Sequence, residues 1–293
     1  MRSRQRATPR ISGASLQTRG VRFQLAIILF VVVCTPICAR AAEPEHLKIE
    51  LMADTGAVVP GEPFWLGVQF KPEPGWHIYW TNPGDSGEPP KFKWELPAGF
   101  RAEPVQWPAP TRLGSGTVID FGYDGPVLLP IEVHPPAAFP LGSRLKFQAT
   151  LTWLVCRDVC VPGKGDVVIF LPVQRTALAP DPESHKAFQA ARARLPKPAP
   201  RAWDATATSE KDAFVVTIQG ASASPGMLFF PLDADEIDNA APQKISKYPG
   251  GVRLELKKSE QLLKTPAVLR GVMETGTGKA YEIEAPVDRA RNE

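Results

Sequence analysis

Leu151-Thr152-Trp153-Leu154-Val155-Cys156-Arg157-Asp158-Val159-Cys160-Val161-Pro162 decides how this chain reads. Two cysteines stand there with three residues between them, each beside an apolar, β-branched run of the kind that forms strands. The arrangement predicts a hairpin with the cysteine pair at its mouth. A disulfide between them would close a ring of about five residues, for which chain entropy supplies roughly 2 kcal/mol, against ~3 kcal/mol for a fifteen-residue loop. So small a ring is a weak staple, and suits a bridge that opens and closes by exchange. A small structural disulfide and two neighbouring free thiols remain open readings of the spacing alone.

Strand text surrounds this stretch. Leu47-Lys48-Ile49-Glu50-Leu51 and Phe64-Trp65-Leu66-Gly67-Val68-Gln69-Phe70 precede it, and Val127 to Val133, Leu145 to Trp153 and Val167 to Leu171 lie closer. Turn clusters such as Pro60-Gly61-Glu62-Pro63 and Pro72-Glu73-Pro74-Gly75 separate them. Short strands at this spacing, with little helical periodicity, predict an all-β domain of the sandwich class.

Farther on, Asp181 reads as the N-cap of a helix with Pro182 in its first turn and Phe188, Ala191 and Leu195 on one face. Pro196, Pro198 and Pro200 end it in a stiff connector. A second β-rich unit follows from about Trp203, with strand candidates at Ala213–Ile218, Met227–Phe230, Val252–Leu256 and Ala267–Val272. It has no cysteine and no histidine, so no chemistry is assigned to it. The expected organisation of the 293 residues is a leader over 1–41, a first sandwich with the cysteine pair over 42–176, a helical and Pro-rich connector over 177–202 and a second sandwich over 203–293.

The leader is a secretory signal peptide by its pattern. Six arginines and no acid precede an apolar run over residues 23–33, and Ala39-Arg40-Ala41 is a small-residue cleavage pattern, so cleavage is expected near Ala41. Cys34 and Cys38 would leave with it, so that Cys156 and Cys160 remain in an exported, oxidising compartment. Residues 1–41 hold seven of the 34 basic residues and no acid; the rest carries 27 against 31 acidic, a net of about −4. Bulk charge gives no case for nucleic-acid binding.

Three motifs compete for function. Gly75-Trp76-His77-Ile78-Tyr79-Trp80-Thr81-Asn82-Pro83-Gly84-Asp85-Ser86-Gly87 runs from an aromatic strand into a loop of turn residues. Its Gly84-Asp85-Ser86-Gly87 matches the nucleophile loop of chymotrypsin-like proteases only on the surface, because Ser86 comes too early relative to any histidine and aspartate partners. An ordered loop whose aspartate and serine bond to backbone is the better reading. His77 and His134 with the two cysteines would suit zinc or copper(I) by ligand type. Against that, Cys-x3-Cys is not the usual zinc-knuckle spacing and both histidines sit in strand text; no metal or cofactor is assigned. Val118-Ile119-Asp120-Phe121-Gly122-Tyr123-Asp124-Gly125 is a hairpin turn filling the sandwich edge, or a lid over the disulfide.

Taken together, Trp76 to Trp80 with Asn82 to Gly87, the Phe121-Gly122-Tyr123 loop and Cys156-x3-Cys160-Val161-Pro162 resemble the N-terminal periplasmic domain of DsbD. They resemble still more the ScsB-type branch linked to copper tolerance. DsbD itself spaces its cysteines by five residues, and the three found here follow the ScsB type. The resemblance covers about residues 45–175 and implies an immunoglobulin-like fold, hence two immunoglobulin-like sandwiches in all. It implies a cysteine pair that takes electrons from a membrane-embedded thiol reductase and passes them to soluble periplasmic thioredoxin-like proteins, without a cofactor. Such a chain is an oxidoreductase in the sense of a protein–protein electron carrier. No membrane or C-terminal thioredoxin domain is recognised in it, so its donor is expected to be a separate molecule.

By the same resemblance Cys160 attacks and Cys156 resolves, while Asp120, Phe121 and Tyr123 form a cap, with Phe121 as the covering ring. Arg157 beside the pair would favour thiolate and Asp158 would oppose it. The competing readings are a non-catalytic β-sandwich binding module and a copper or zinc carrier using the same cysteines.

Overall fold

A computed structural model describes residues 45–114 and 116–289. The leader read over residues 1–41, with Cys34, Cys38 and the cleavage near Ala41, lies outside the described residues.

The first half comprises the strands Leu47–Ala53 (β1), Phe64–Pro72 (β2), Ile78–Gly84 (β3), Lys91–Glu95 (β4), Arg101–Ala102 (β5), Thr111–Leu113 (β6), Asp120–Tyr123 (β7), Val127–His134 (β8), Arg144–Cys156 (β9) and Cys160–Pro172 (β10). One antiparallel sheet has the order β1-β2-β8-β5, a second β10-β9-β4 and a third β3-β7-β6. The period-two pattern of β9 shows why they stack. Leu145, Phe147, Ala149, Leu151, Trp153 and Val155 are buried, whereas Lys146 and Thr152 face solvent. Opposite them lie Leu66, Val68 and Phe70 of β2 and Leu129 and Val133 of β8. Fully burying one such side chain is worth roughly 1.5–3 kcal/mol, so the alternation fixes which face of each strand turns inward.

The register of β9 with β10 runs unbroken from Cys156 opposite Cys160 to Arg144 opposite Pro172. The hairpin turn is therefore Arg157-Asp158-Val159, and β10 is an edge strand.

The helix Pro182–Arg194 (α1) starts as its sequence predicts, with the Asp181 carboxylate accepting from the Glu183 and Ser184 amides at 3.1 and 2.9 Å. Phe188 and Ala191 pack on Met52 and Leu128, the outward residues of the first sheet. Leu195 falls just past the helix, as its C-cap.

The second half contains Lys197–Pro198 (β11), Asp204–Ser209 (β12), Ala213–Gln219 (β13), Met227–Pro231 (β14), Lys244–Tyr248 (β15), Gly251–Lys257 (β16), Val268–Thr275 (β17) and Ala280–Arg289 (β18). Their order is β14-β17-β18-β12-β13-β16-β15, with β11 beside β18. β18 pairs with β17 as far as Pro286 and with β12 from Val287 onward, so one strand serves both leaves of the immunoglobulin-like sandwich.

The apolar run Met227-Leu228-Phe229-Phe230 has no polar alternation because β14 is covered on both faces. Met227 and Phe229 enter the core of the second half, while Leu228 and Phe230 join that of the first, together with Val272 of β17. Among the described residues no helix is long and apolar enough to cross a membrane.

Candidate functional site

Cys156 and Cys160 are joined by a disulfide at the tip of the β9–β10 hairpin. The two sulfurs are not equivalent. Cys156 is 2% exposed, whereas Cys160 stands exposed on the edge strand. Backbone pairing explains the difference. The Cys156 amide donates to the His77 carbonyl at 3.0 Å and its carbonyl accepts from the His77 amide at 2.9 Å, so it is held between β10 on one side and the lead-in to β3 on the other. Cys160 has a strand neighbour on one side only.

The residues from His77 into β3 alternate as a strand should. Ile78 and Trp80 enter the core, and His77 and Tyr79 take the other face, with their rings edge to face at 5.2 Å. The Tyr79 hydroxyl lies 3.5 Å from the Cys160 sulfur. Burial pushes this hydroxyl above its usual pKa, a hydrogen bond with Ser86 partly offsetting it. The Tyr79 ring rests on Gly87, where an added Cβ would come within 2.4 Å or less of three ring carbons. Gly87 also has φ +74, a conformation that only glycine adopts without cost.

Two interlocked pairs hold the loop that carries Gly87. Asp85 exchanges backbone and carboxylate bonds with Ile119, its amide donating to the Ile119 carbonyl at 3.0 Å and its Oδ2 accepting the Ile119 amide at 2.7 Å. One residue on, Ser86 donates its amide and hydroxyl to Asp120 Oδ1 at 3.0 and 2.9 Å. Asp120 Oδ2 in turn lies 3.9 Å from His77 Nε2, which is buried without a hydrogen-bond partner. Burial lowers the His77 pKa, and Asp120 and Asp124 only partly oppose it, so the imidazole is neutral near pH 7. Cys160, Tyr79, Ser86, Asp120 and His77 thus form one continuous polar group beside the disulfide.

Arg157 and Asp158, whose charges were expected to act on the sulfurs in opposite senses, pair with each other at 3.1 Å. The guanidinium also lies over the Trp76 ring at 5.0 Å, and Trp76 stacks on His46 at 3.9 Å.

The expected cap residues separate in space. Asp120 belongs to the polar group. Phe121 is 2% exposed, and its ring meets Phe230 edge to face at 5.2 Å. Tyr123 donates its hydroxyl to the Pro108 carbonyl at 2.7 Å, beneath Arg194. Tyr79 brings its hydroxyl to the sulfur pair, while Phe121 has Phe230 of the second half as its aromatic partner. The sequence reads Tyr79 as strand and Ser86 and Gly87 as turn; the alternation of Ile78 and Trp80 against His77 and Tyr79 is the local signal that sets Tyr79 on the face of the pair. His134, the other histidine considered, sits 3.3 Å from Glu103 at the end of β8. No cluster of three or more His, Cys, Asp or Glu side chains arranged for a metal ion occurs among the described residues.

A family model described as "Thiol:disulfide interchange protein DsbD, N-terminal" matches residues 48–172, the span that builds this site. Residues 48–172 belong to the DsbD N-terminal domain family. The fold agrees beyond that span. The crystal structure of the N-terminal periplasmic domain of ScsB from Proteus mirabilis matches at TM-score 0.57 and 15% identity, covering 86% of this chain and 97% of that one. The E. coli chaperone DraB matches at TM-score 0.24 and 10% identity, covering 82% of this chain and 97% of that one, a likeness too slight to carry an argument. None of the curated proteins compared is similar to this chain. The DsbD N-terminal family is one of thiol–disulfide interchange, and it is at its cysteine pair that this chain has its exposed sulfur.

Proposed function

We propose that this chain is a periplasmic thiol–disulfide exchange protein that relays electrons through Cys156 and Cys160. In the oxidised state a thiolate of a membrane-embedded reductase attacks the Cys160 sulfur. The S–S bond breaks, Cys156 leaves as a thiolate and takes up a proton, and the reductase's second thiol resolves the mixed disulfide. Two electrons and two protons have then passed to the pair. In the reduced state the Cys160 thiolate attacks the disulfide of a soluble thioredoxin-like partner. Cys156 then displaces the partner's sulfur from Cys160, returning the bridge and leaving the partner as a dithiol.

One observation carries the reading: the sulfur that an incoming protein could meet is exposed on an edge strand, while its mate is 2% exposed and has both its backbone amide and its carbonyl bonded to His77. A merely structural bridge needs no such asymmetry. The Tyr79 hydroxyl supports the same assignment, since it stands where a Cys160 thiolate would take a hydrogen bond. Copper tolerance enters the proposal as a phenotype, in which loss of the pair reduces growth on copper.

Equilibrating the purified chain with glutathione redox buffers tests the reading. A midpoint above about −300 mV is expected; a lower one would place the bond among inert structural disulfides.

A further inference from the structure

The second half of the chain, without a cysteine or a histidine, nevertheless holds the segments from which the site is built. Asn239 donates its side-chain amide to Asp85 Oδ1 at 2.8 Å. Asp85 is the residue whose other carboxylate oxygen takes the Ile119 amide, and the next residues of the two segments are Ser86 and Asp120. Arg112 of β6, the strand beside β7, donates to the Asn239 and Ala240 carbonyls at 2.7 and 3.1 Å. Asn82 of β3, 3% exposed, donates to the Pro231 and Asp233 carbonyls at 2.8 and 3.3 Å. The Phe230 ring meets Trp80 of β3 and Phe121 of β7, both edge to face. Two of the strands that supply a side chain to the polar group, β3 with Tyr79 and β7 with Asp120, are therefore gripped by residues 230–240.

We propose that residues 230–240 are a positioning element for the disulfide, and that Asn239 is the positioning residue that keeps Ser86 and Asp120 set against Tyr79 and so limits access to Cys160. Of the four contacts, the Asn239–Asp85 bond acts nearest the sulfur. Asp85 sits in the chain directly before Ser86, and releasing it frees the Ser86–Gly87 turn on which the Tyr79 ring rests. The second sandwich then has a definite task, to keep the Tyr79 side of the exposed Cys160 sulfur closed to small thiols. This inference rests on the exchange reading above, and its test separates the two.

The rate of reduction of the full chain by glutathione is the readout, with thermal unfolding run on every variant. Asn239→Asp sets a second carboxylate against Asp85 and is expected to speed reduction about five-fold, a coupling of ~1 kcal/mol between contacting residues. Adding Asp85→Asn restores a donor–acceptor pair and should return the rate to within about two-fold of wild type. Arg112→Gln, an exposed change that leaves the core untouched, should act in the same direction as Asn239→Asp and more weakly. Wild-type rates in folded Asn239→Asp and Arg112→Gln overturn the positioning role while leaving exchange intact. A wild-type disulfide that glutathione does not reduce overturns the exchange reading, and this inference with it.

Discussion

The Tyr79 hydroxyl stands 3.5 Å from the Cys160 sulfur and has its ring seated on Gly87, so the polar end of one buried side chain is delivered to the exposed member of the pair. Tyr79→Phe keeps the ring and removes only the donor. The Cys160 thiol should then titrate at higher pH, and its attack on a model disulfide at pH 7 should slow about five-fold, the worth of one hydrogen bond of ~1 kcal/mol. Alkylation rates of the reduced protein against pH read the shift directly; an unchanged profile would remove Tyr79 from the mechanism.

Gly87→Ala asks for more than the loop can give. The new methyl would overlap the Tyr79 ring at a residue with φ +74. A loss of about 1–3 kcal/mol in unfolding free energy is expected, together with the thiol shift seen in Tyr79→Phe. Urea unfolding and the same alkylation assay check the two effects separately.

His77 gives the fold an acid-sensitive point. Burial depresses its pKa below the unfolded value of 6.5, so the unfolded chain binds the extra proton more readily. The corresponding stability is complete above about pH 6.5 and declines as the pH falls toward the folded-state pKa. His77→Gln should flatten that part of the dependence, which urea midpoints at pH 7.5 and 5.5 would show.

Glu236 has the opposite sign. It is 5% exposed, its Oε2 lacks a partner, and burial together with Asp233 pushes its carboxyl up to about 7 against the pull of Arg270. The folded state holds this proton more tightly, so its contribution is complete below pH 4.5 and is lost as the pH rises through about 7. Glu236→Gln should be more stable than wild type at pH 8 by on the order of 1–3 kcal/mol, with the gap closing by pH 5. Urea midpoints at those two pH values decide it.

Much of this architecture was legible in the residues. The alternation in β1, β2, β8 and β9 and the cap of α1 are local signals, and each produced the element it predicted. β4 and β18 stand out poorly in the sequence although Phe92 and Trp94, and Ile283 and Ala285, alternate correctly. Prolines obscured both, at Pro89-Pro90 before β4 and at Pro286 within β18, where the strand changes partners. The cysteine pair was legible from spacing and context. The seating of Phe121 on Phe230 was not, because it depends on a residue 109 positions away in another sandwich. For the same reason the polar group around Tyr79 is a product of tertiary structure, joining residues 77–87 to residues 119–120 through side-chain bonds that no local pattern announces.

The most direct measurement of the central claim is a pair of trapping experiments on the reduced chain, Cys156→Ser against Cys160→Ser, each exposed to an oxidised thioredoxin-like domain. Cys156→Ser, which keeps the exposed sulfur, should accumulate a mixed disulfide through Cys160, and Cys160→Ser should accumulate little. Equal trapping by both, or trapping through Cys156 alone, would contradict the account.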